Sequence, residues 1–154
     1  KKKDGAYLSQ FLLSFGYNVI GTSRDAESNE FHNLERLRIR SQVKLVSMVL
    51  NDFESVLSVI SKFEPDEVYN LAAQSHVRIS FDMPIYTTHS IATGTLNLLE
   101  AVRLTCPNTK IYQASSSEMF GNSRDSDDMQ RETTPMHPVS PYGCAKLFSY
   151  SLIA

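Results

Sequence analysis

The sequence predicts a doubly wound α/β domain, a parallel sheet with helices on both faces. Three observations carry that expectation. Strand-like apolar runs alternate with stretches of helical period along the chain. No internal repeat or low-complexity segment interrupts the alternation. At 154 residues and 42% hydrophobic composition, the chain is about one domain and can bury a core.

Residues 4–15 carry Tyr7, Leu8, Phe11, Leu12 and Phe15 at helical spacing, with Asp4 as cap and Gly16 as stop. The first strand is 17–22, running out into Ser23-Arg24-Asp25. The polar stretch 25–42 is a loop with a short helix around Leu34 and Leu37, and 43–46 is the second strand. Asp52 caps a helix with Phe53, Val56, Leu57 and Ile60 on one face, and Glu64-Pro65-Asp66 breaks it. The third strand is 67–72, followed by a loop holding Gln74, Ser75 and His76. Pro84 opens a long helix to about Leu104, with Ile91, Thr95, Leu98, Leu99 and Val102 as its buried stripe. A strand at 109–114, a polar loop at 119–139 and a helix from Pro141 follow, the last announced by Ser140 as cap and Pro141 at the first helical position.

Composition excludes several function classes. A formal net charge of −2 and 21% charged residues point to no nucleic-acid partner and no membrane surface. The only charge run is Lys1-Lys2-Lys3, and no apolar segment follows it to form a secretory leader. No stretch approaches the roughly 18 apolar residues of a membrane span. Cys106 and Cys144 match no metal or redox spacing, so reduced thiols in a cytoplasmic protein are expected. His32, His76, His89 and His137 show no ligand spacing, so no metal is expected. The sequence lacks the Gly-x-Ser-x-Gly elbow of many serine hydrolases.

In a doubly wound sheet, ligands bind at the carboxyl ends of the strands, here after Thr22, Ala72 and Ala114. Arg24 stands at the first of these ends, where an arginine accommodates a 2′-phosphate and an acid would hold ribose hydroxyls, so NADP is favoured over NAD. The competing reading is a solvated surface pair of Arg24 and Asp25. Tyr142 and Lys146, at i and i+4 near a helix start, share one face. A cation one turn away and the helix N-terminus both stabilise a phenolate, which can take a carbinol proton as hydride leaves the carbon. Ser116 and Glu118 point to one side of an extended chain, while Ser115 and Ser117 point away, giving a hydroxyl and a carboxylate together. Without their context, these residues would read as a surface Tyr/Lys pair and a solvated serine loop.

The strand ending in Ser115-Ser116-Ser117-Glu118, followed by Tyr142-x-x-x-Lys146, resembles the extended short-chain dehydrogenase/reductase superfamily. Tyr69-Asn70-Leu71-Ala72-Ala73-Gln74-Ser75-His76-Val77, Gly94–Ala101, Glu132-Thr133-Thr134-Pro135 and Ser140–Lys146 make nearly the whole chain similar to the GDP-mannose 4,6-dehydratase family within it. The resemblance implies a Rossmann-like NADP-binding domain and conversion of GDP-mannose to GDP-4-dehydro-6-deoxymannose in a cytoplasmic homo-oligomer. It implies that Tyr142 removes the O4 proton, Ser116 (where the family usually has Thr) hydrogen-bonds that oxygen, and Glu118 takes the C5 proton. It further implies that Lys146 holds the nicotinamide ribose, that Leu71, Ala72, Ala73, Gln74, Ser75 and Tyr86 line the cofactor with Asp4, and that Arg24 faces the 2′-phosphate. Glu118 favours dehydration over 4-epimerisation, which has no use for a base at C5. Another nucleotide-sugar enzyme of the superfamily, or a non-catalytic binding remnant, are the alternatives.

Three departures from the family pattern shape the remaining expectations. Val49 stands where many relatives carry an Asp at the adenine. The family's first strand and glycine-rich turn should precede Asp4-Gly5, and its last strands and substrate domain should follow the Tyr/Lys helix. The chain is therefore expected to be a partial NADP-binding domain, 1–154, without the substrate domain. A missing central strand would leave two buried sheet edges, and the chain alone is expected to fold poorly and be inactive.

Overall fold

The computed structural model describes residues 2–154, so Lys1, the first of the lysine run, lies outside the described residues. It contains two compact units, Lys1–Val49 and Leu50–Ala154.

The first unit comprises α1 (Lys2–Ser14), β1 (Ile20–Ser23), α2 (His32–Arg36) and β2 (Lys44–Ser47). Asp4 lies within the first turn of α1 instead of capping it, where its charge still complements the positive end of the helix dipole. Gly16 ends α1 as expected. Its φ of +82° lets the chain fold back so that Gly16 N–H reaches Leu13 O at 3.0 Å and Tyr17 N–H reaches Leu12 O at 3.2 Å. β1 starts at Ile20 rather than at Tyr17, whose N–H is taken by the end of α1. β1 and β2 run parallel, Ile20 opposite Lys44 and Ser23 opposite Ser47, with α2 in the crossover. Leu34, predicted to anchor the short helix, is buried with Ala6, Ile39 and Val43.

The second unit holds α3 (Phe53–Phe63), β3 (Glu67–Asn70), α4 (Val77–Asp82), α5 (Pro84–Thr88), a π-helical segment (His89–Thr93), α6 (Gly94–Thr105), β4 (Lys110–Gln113) and α7 (Pro141–Ile153). Asp52 caps α3 as predicted, its carboxylate accepting from Glu54 N–H at 3.1 Å and Ser55 N–H at 3.5 Å. Val56, Val59 and Ile60 form the buried face of α3, with Val59 in place of the expected Leu57, and it packs on α6. Ile91, Thr95, Leu98 and Val102 are buried as predicted, while Leu99 is half-buried. The long helix from Pro84 is interrupted by the π segment, and α4 precedes it in a stretch expected to be loop.

β3 and β4 are parallel, with Glu67 opposite Lys110 and Asn70 opposite Gln113. Tyr69 and Tyr112 stack across the pair with ring centroids 5.9 Å apart. Among the described residues the four strands form two parallel pairs, β1–β2 and β3–β4. The expected alternation of strands and helices is thus present, but not as one continuous sheet.

Because Asp52 satisfies two otherwise orphaned amides, Asp52→Ala should lower stability by about 1 kcal/mol, measured as a lower urea midpoint at unchanged slope.

Candidate active site

β4 leads through Ala114 and Ser115 to Ser116, where the chain turns. Ser117–Met119 is a 3-10 turn, so the pleat rule used to place Ser116 beside Glu118 does not apply. A cap joins them instead: Ser116 Oγ accepts from Glu118 N–H at 3.3 Å. That bond uses an oxygen lone pair and leaves the hydroxyl proton available to donate. Met119 is buried beneath the turn, while Ser115 and Ser117 are exposed.

Gly121 closes this turn. Its φ is +57°, its backbone bridges to His137, and a Cβ there would collide with the His137 carbonyl oxygen. The intervening loop is latched by Thr134, whose hydroxyl donates to Asp125 at 2.8 Å and accepts from Arg131 N–H at 2.8 Å. Arg131 also binds Asp125 at 2.9 Å and Asp127 at 2.5 Å. Its guanidinium holds both carboxyls below the ordinary carboxylate value of 3.8.

α7 begins at Pro141, with Ser140 Oγ accepting from Gly143 N–H at 3.0 Å as the cap signal predicts. Tyr142 and Lys146 do share the inward face, at 7% and 3% exposure. Tyr142 packs with Ile91 and Ala92 of the π segment and with Ala145, and Ala73 and Val77 line the same cluster. Lys146 Nζ donates to Ala114 O at 2.6 Å, on the end of β4. Gly143 allows the helix start to press on the Glu118 turn, since a Cβ there would stand 2.6 Å from Glu118 O. One helix end thus brings Tyr142 and Lys146 to the segment bearing Ser116 and Glu118.

The loop after β3 lies beside them. Gln74 staples it, with Nε2 donating to His76 O at 3.0 Å and to Thr87 Oγ1 at 3.3 Å, while Oε1 accepts from His76 N–H. Ser75 Oγ is buried and has no hydrogen-bond partner among the described residues. An orphaned buried hydroxyl of this kind fits a polar ligand group. Leu71 and Ala73 are half-buried, Ala72 is exposed, and Tyr86 on α5 is 40% exposed. Asp4 and Arg24 belong to the first unit, where Arg24 is exposed directly after β1. The Asp25 carboxylate is taken up by its own loop, accepting from Ser28 N–H at 2.9 Å and Glu27 N–H at 3.0 Å, and the Ser28 bond leads in holding its carboxyl below the usual range.

Sequence reasoning missed the Gly121–His137 bridge, the Thr134 latch, the π segment against Tyr142, and a side-chain pair of Asn70 and Gln113. Glycine at 121 and the polar pair at two strand ends were the available signals. Among the described residues, no cluster of three or more His, Cys, Asp or Glu could hold a metal, and no helix is long and apolar enough to cross a membrane.

The sequence model of the GDP-mannose 4,6 dehydratase family matches residues 3–154. The chain is 42% identical to the GDP-mannose 4,6-dehydratases of Vibrio cholerae and of Homo sapiens, over alignments covering 98% of the chain and 42% of each relative. It is 44% identical to GDP-mannose 4,6 dehydratase 2 of Arabidopsis thaliana, covering 94% of the chain and 40% of that relative. The chain thus spans well under half the length of these curated relatives. Among solved structures it is similar to Thermus thermophilus UDP-glucose 4-epimerase in complex with NAD (TM-score 0.81, 28% identity, 96% of this chain and 46% of that one). The dTDP-glucose 4,6-dehydratase of Streptomyces venezuelae with NAD bound gives a TM-score of 0.79 at 24% identity over 97% of this chain and 46% of that one, a likeness of fold alone. The doubly wound α/β class follows from these likenesses.

Gly121→Ala should cost about 2–3 kcal/mol in urea unfolding, because both the left-handed backbone and the His137 contact oppose a Cβ. The Arg131 latch makes a separate, pH-dependent prediction. Its two carboxyls have lowered folded-state values, so their contribution is present above 3.8 and disappears as pH falls through those lower values. Amide exchange in 125–134, corrected for intrinsic rates, should stay protected from neutral pH down to that value and lose protection below it.

Proposed function

The chain belongs to the GDP-mannose 4,6-dehydratase family, and we propose that the protein carrying these residues converts GDP-mannose to GDP-4-dehydro-6-deoxymannose. The observation that carries this reading is the Ser116-capped Glu118 turn, pressed against the helix start that bears Tyr142 and Lys146. A hydroxyl, a carboxylate, a phenol and an ammonium at one strand end are the groups such a reaction requires.

NADP, when bound, supplies the oxidation at C4 and the hydride that returns to C6. We assign Asp4, Arg24, Leu71, Ala72, Ala73, Gln74, Ser75, Tyr86 and Lys146 to its binding. The orphaned Ser75 hydroxyl and the exposed Arg24 guanidinium support that assignment, Arg24 suiting a 2′-phosphate.

The protein's own groups then have distinct tasks. Tyr142 takes the proton from O4. Ser116 donates its remaining hydroxyl proton to the same oxygen. The ketone formed at C4 acidifies the C5 proton, which Glu118 removes. The proton so gained passes from Glu118 to the C6 hydroxyl, which leaves as water. Glu118, a carboxylate again once water has left, takes up a proton from solvent and delivers it to C5, while Tyr142 releases the O4 proton to solvent. Lys146, seated on Ala114 O, holds the nicotinamide ribose.

The rival reading, a 4-epimerase, leaves Glu118 without a task. We further infer a cytoplasmic homo-oligomer. The free thiols Cys106 and Cys144 support the compartment, and exposed Ile85, Leu96 and Leu104 between Pro84 and Thr105 support association.

Incubation of a version completed to the length of the curated relatives with GDP-mannose and NADP should give a 4-keto-6-deoxy product lighter by one water. A C4 epimer would support the rival enzyme, and no turnover a binding remnant. Tyr142→Phe and Glu118→Gln should each reduce dehydration by about 10²–10⁴-fold.

A further inference from the structure

A continuous chain of side-chain hydrogen bonds runs from the loop after β3 to Lys146. Asn70 and Gln113 stand opposite each other in the last register of the β3–β4 pair. Asn70 Oδ1 accepts from Ala72 N–H at 3.2 Å, and its Nδ2 donates to Gln113 Oε1 at 2.8 Å. Gln113 Nε2 donates to Ala114 O at 3.3 Å, the same oxygen that receives Lys146 Nζ at 2.6 Å.

The orientation of both amides is set by backbone groups. At one end Ala72 N–H can only donate, and at the other Ala114 O can only accept. Turning either amide over would set like against like. Asn70 and Lys146 are buried, so a half-made network here would strand polar groups away from water. Strand pairing does not require this chain, because the backbone ladder continues past it through Ala114 N–H to Asn70 O at 3.1 Å.

We propose that Asn70 and Gln113 are positioning residues for Lys146. They fix Ala114 O as the seat of the ammonium and tie that seat to the loop 71–76, so the loop and Lys146 are held as one unit. The catalytic importance of this arrangement rests on the assignment of Lys146 and that loop to the dinucleotide.

Acetic anhydride labelling of lysines, read by mass spectrometry without cofactor, tests the network directly. Lys110, exposed at the opposite end of β4, serves as the internal standard. Gln113→Leu and Asn70→Ala leave Ala114 O in place but remove a neutral hydrogen bond behind it, so each should label Lys146 roughly fivefold faster relative to Lys110. The double variant should add little, because both residues act through one chain. Gln113→Glu keeps an oxygen for Asn70 but sets a carboxylate oxygen against Ala114 O, breaking the link at that end, so it should label Lys146 as fast as Gln113→Leu and serves as the decisive variant if the others fail to fold. Unchanged Lys146 labelling in the folded variants, Gln113→Glu included, or an equal rise at Lys110 would overturn the proposal.

NADPH titration, followed by cofactor emission in a chain without Trp, separates the two levels of the claim. Wild type that binds NADPH should lose about tenfold in affinity on Gln113→Leu, and equal affinity would overturn the coupling to the loop. Wild type that does not bind NADPH would contradict the dinucleotide assignment, while the labelling result still decides the network.

Discussion

Burial of the Lys146 ammonium against Ala114 O is the constraint on which the site depends. A charged amine taken out of water is costly unless it is held by well-placed acceptors. α7 sets it down on the Ala114 carbonyl, just past the end of β4. Seating it there fixes how deep the helix lies and how it is rotated, and Tyr142, one turn earlier, comes inward with it. The hydrophobic contacts of Tyr142 with Ile91 and Ala92 then hold the ring against the π segment.

That docking is possible because two positions carry no side chain. Gly143 lets the helix start approach Glu118 O, and Gly121 lets the exit of the Glu118 turn pair with His137. Cap hydroxyls set the rest: Ser140 starts the helix and Ser116 starts the turn. Ser116 therefore serves two ends, since its lone pair shapes the turn while its proton faces the proposed chemistry. The polar loop between these elements is not slack. Thr134 and Arg131 gather Asp125 and Asp127 into a latch that returns the chain to Ser140.

Local signals were legible in the sequence where one residue determines one piece of backbone. Asp52, Ser140, Pro141 and Gly16 each marked a helix end correctly, because capping and left-handed geometry are decided within a few residues. Helix α4 escaped notice because Val77–Asp82 buries only Ser80, and Val77, Ile79 and Phe81 recur at every second position, not at helical spacing. The π segment packs against α7, a contact that no local pattern encodes. The pairing of Asn70 with Gln113 spans 43 positions, so neither residue reveals it alone. Ser116 and Glu118 are joined by a cap between the hydroxyl and the Glu118 backbone, where a pleat had been expected. The chemistry proposed for them rests on residue type and motif, whereas the seat of Lys146 was visible only once the strand end and helix were placed together.

The central chemical claim is that Glu118 acts at C5. Conversion of GDP-mannose in D2O, followed by NMR of the isolated product, tests it most directly. The account predicts a 4-keto-6-deoxy sugar with deuterium at C5 and the original C4 hydrogen recovered at C6. A product inverted at C4 that retains its oxygen at C6 and carries no deuterium at C5 would contradict it.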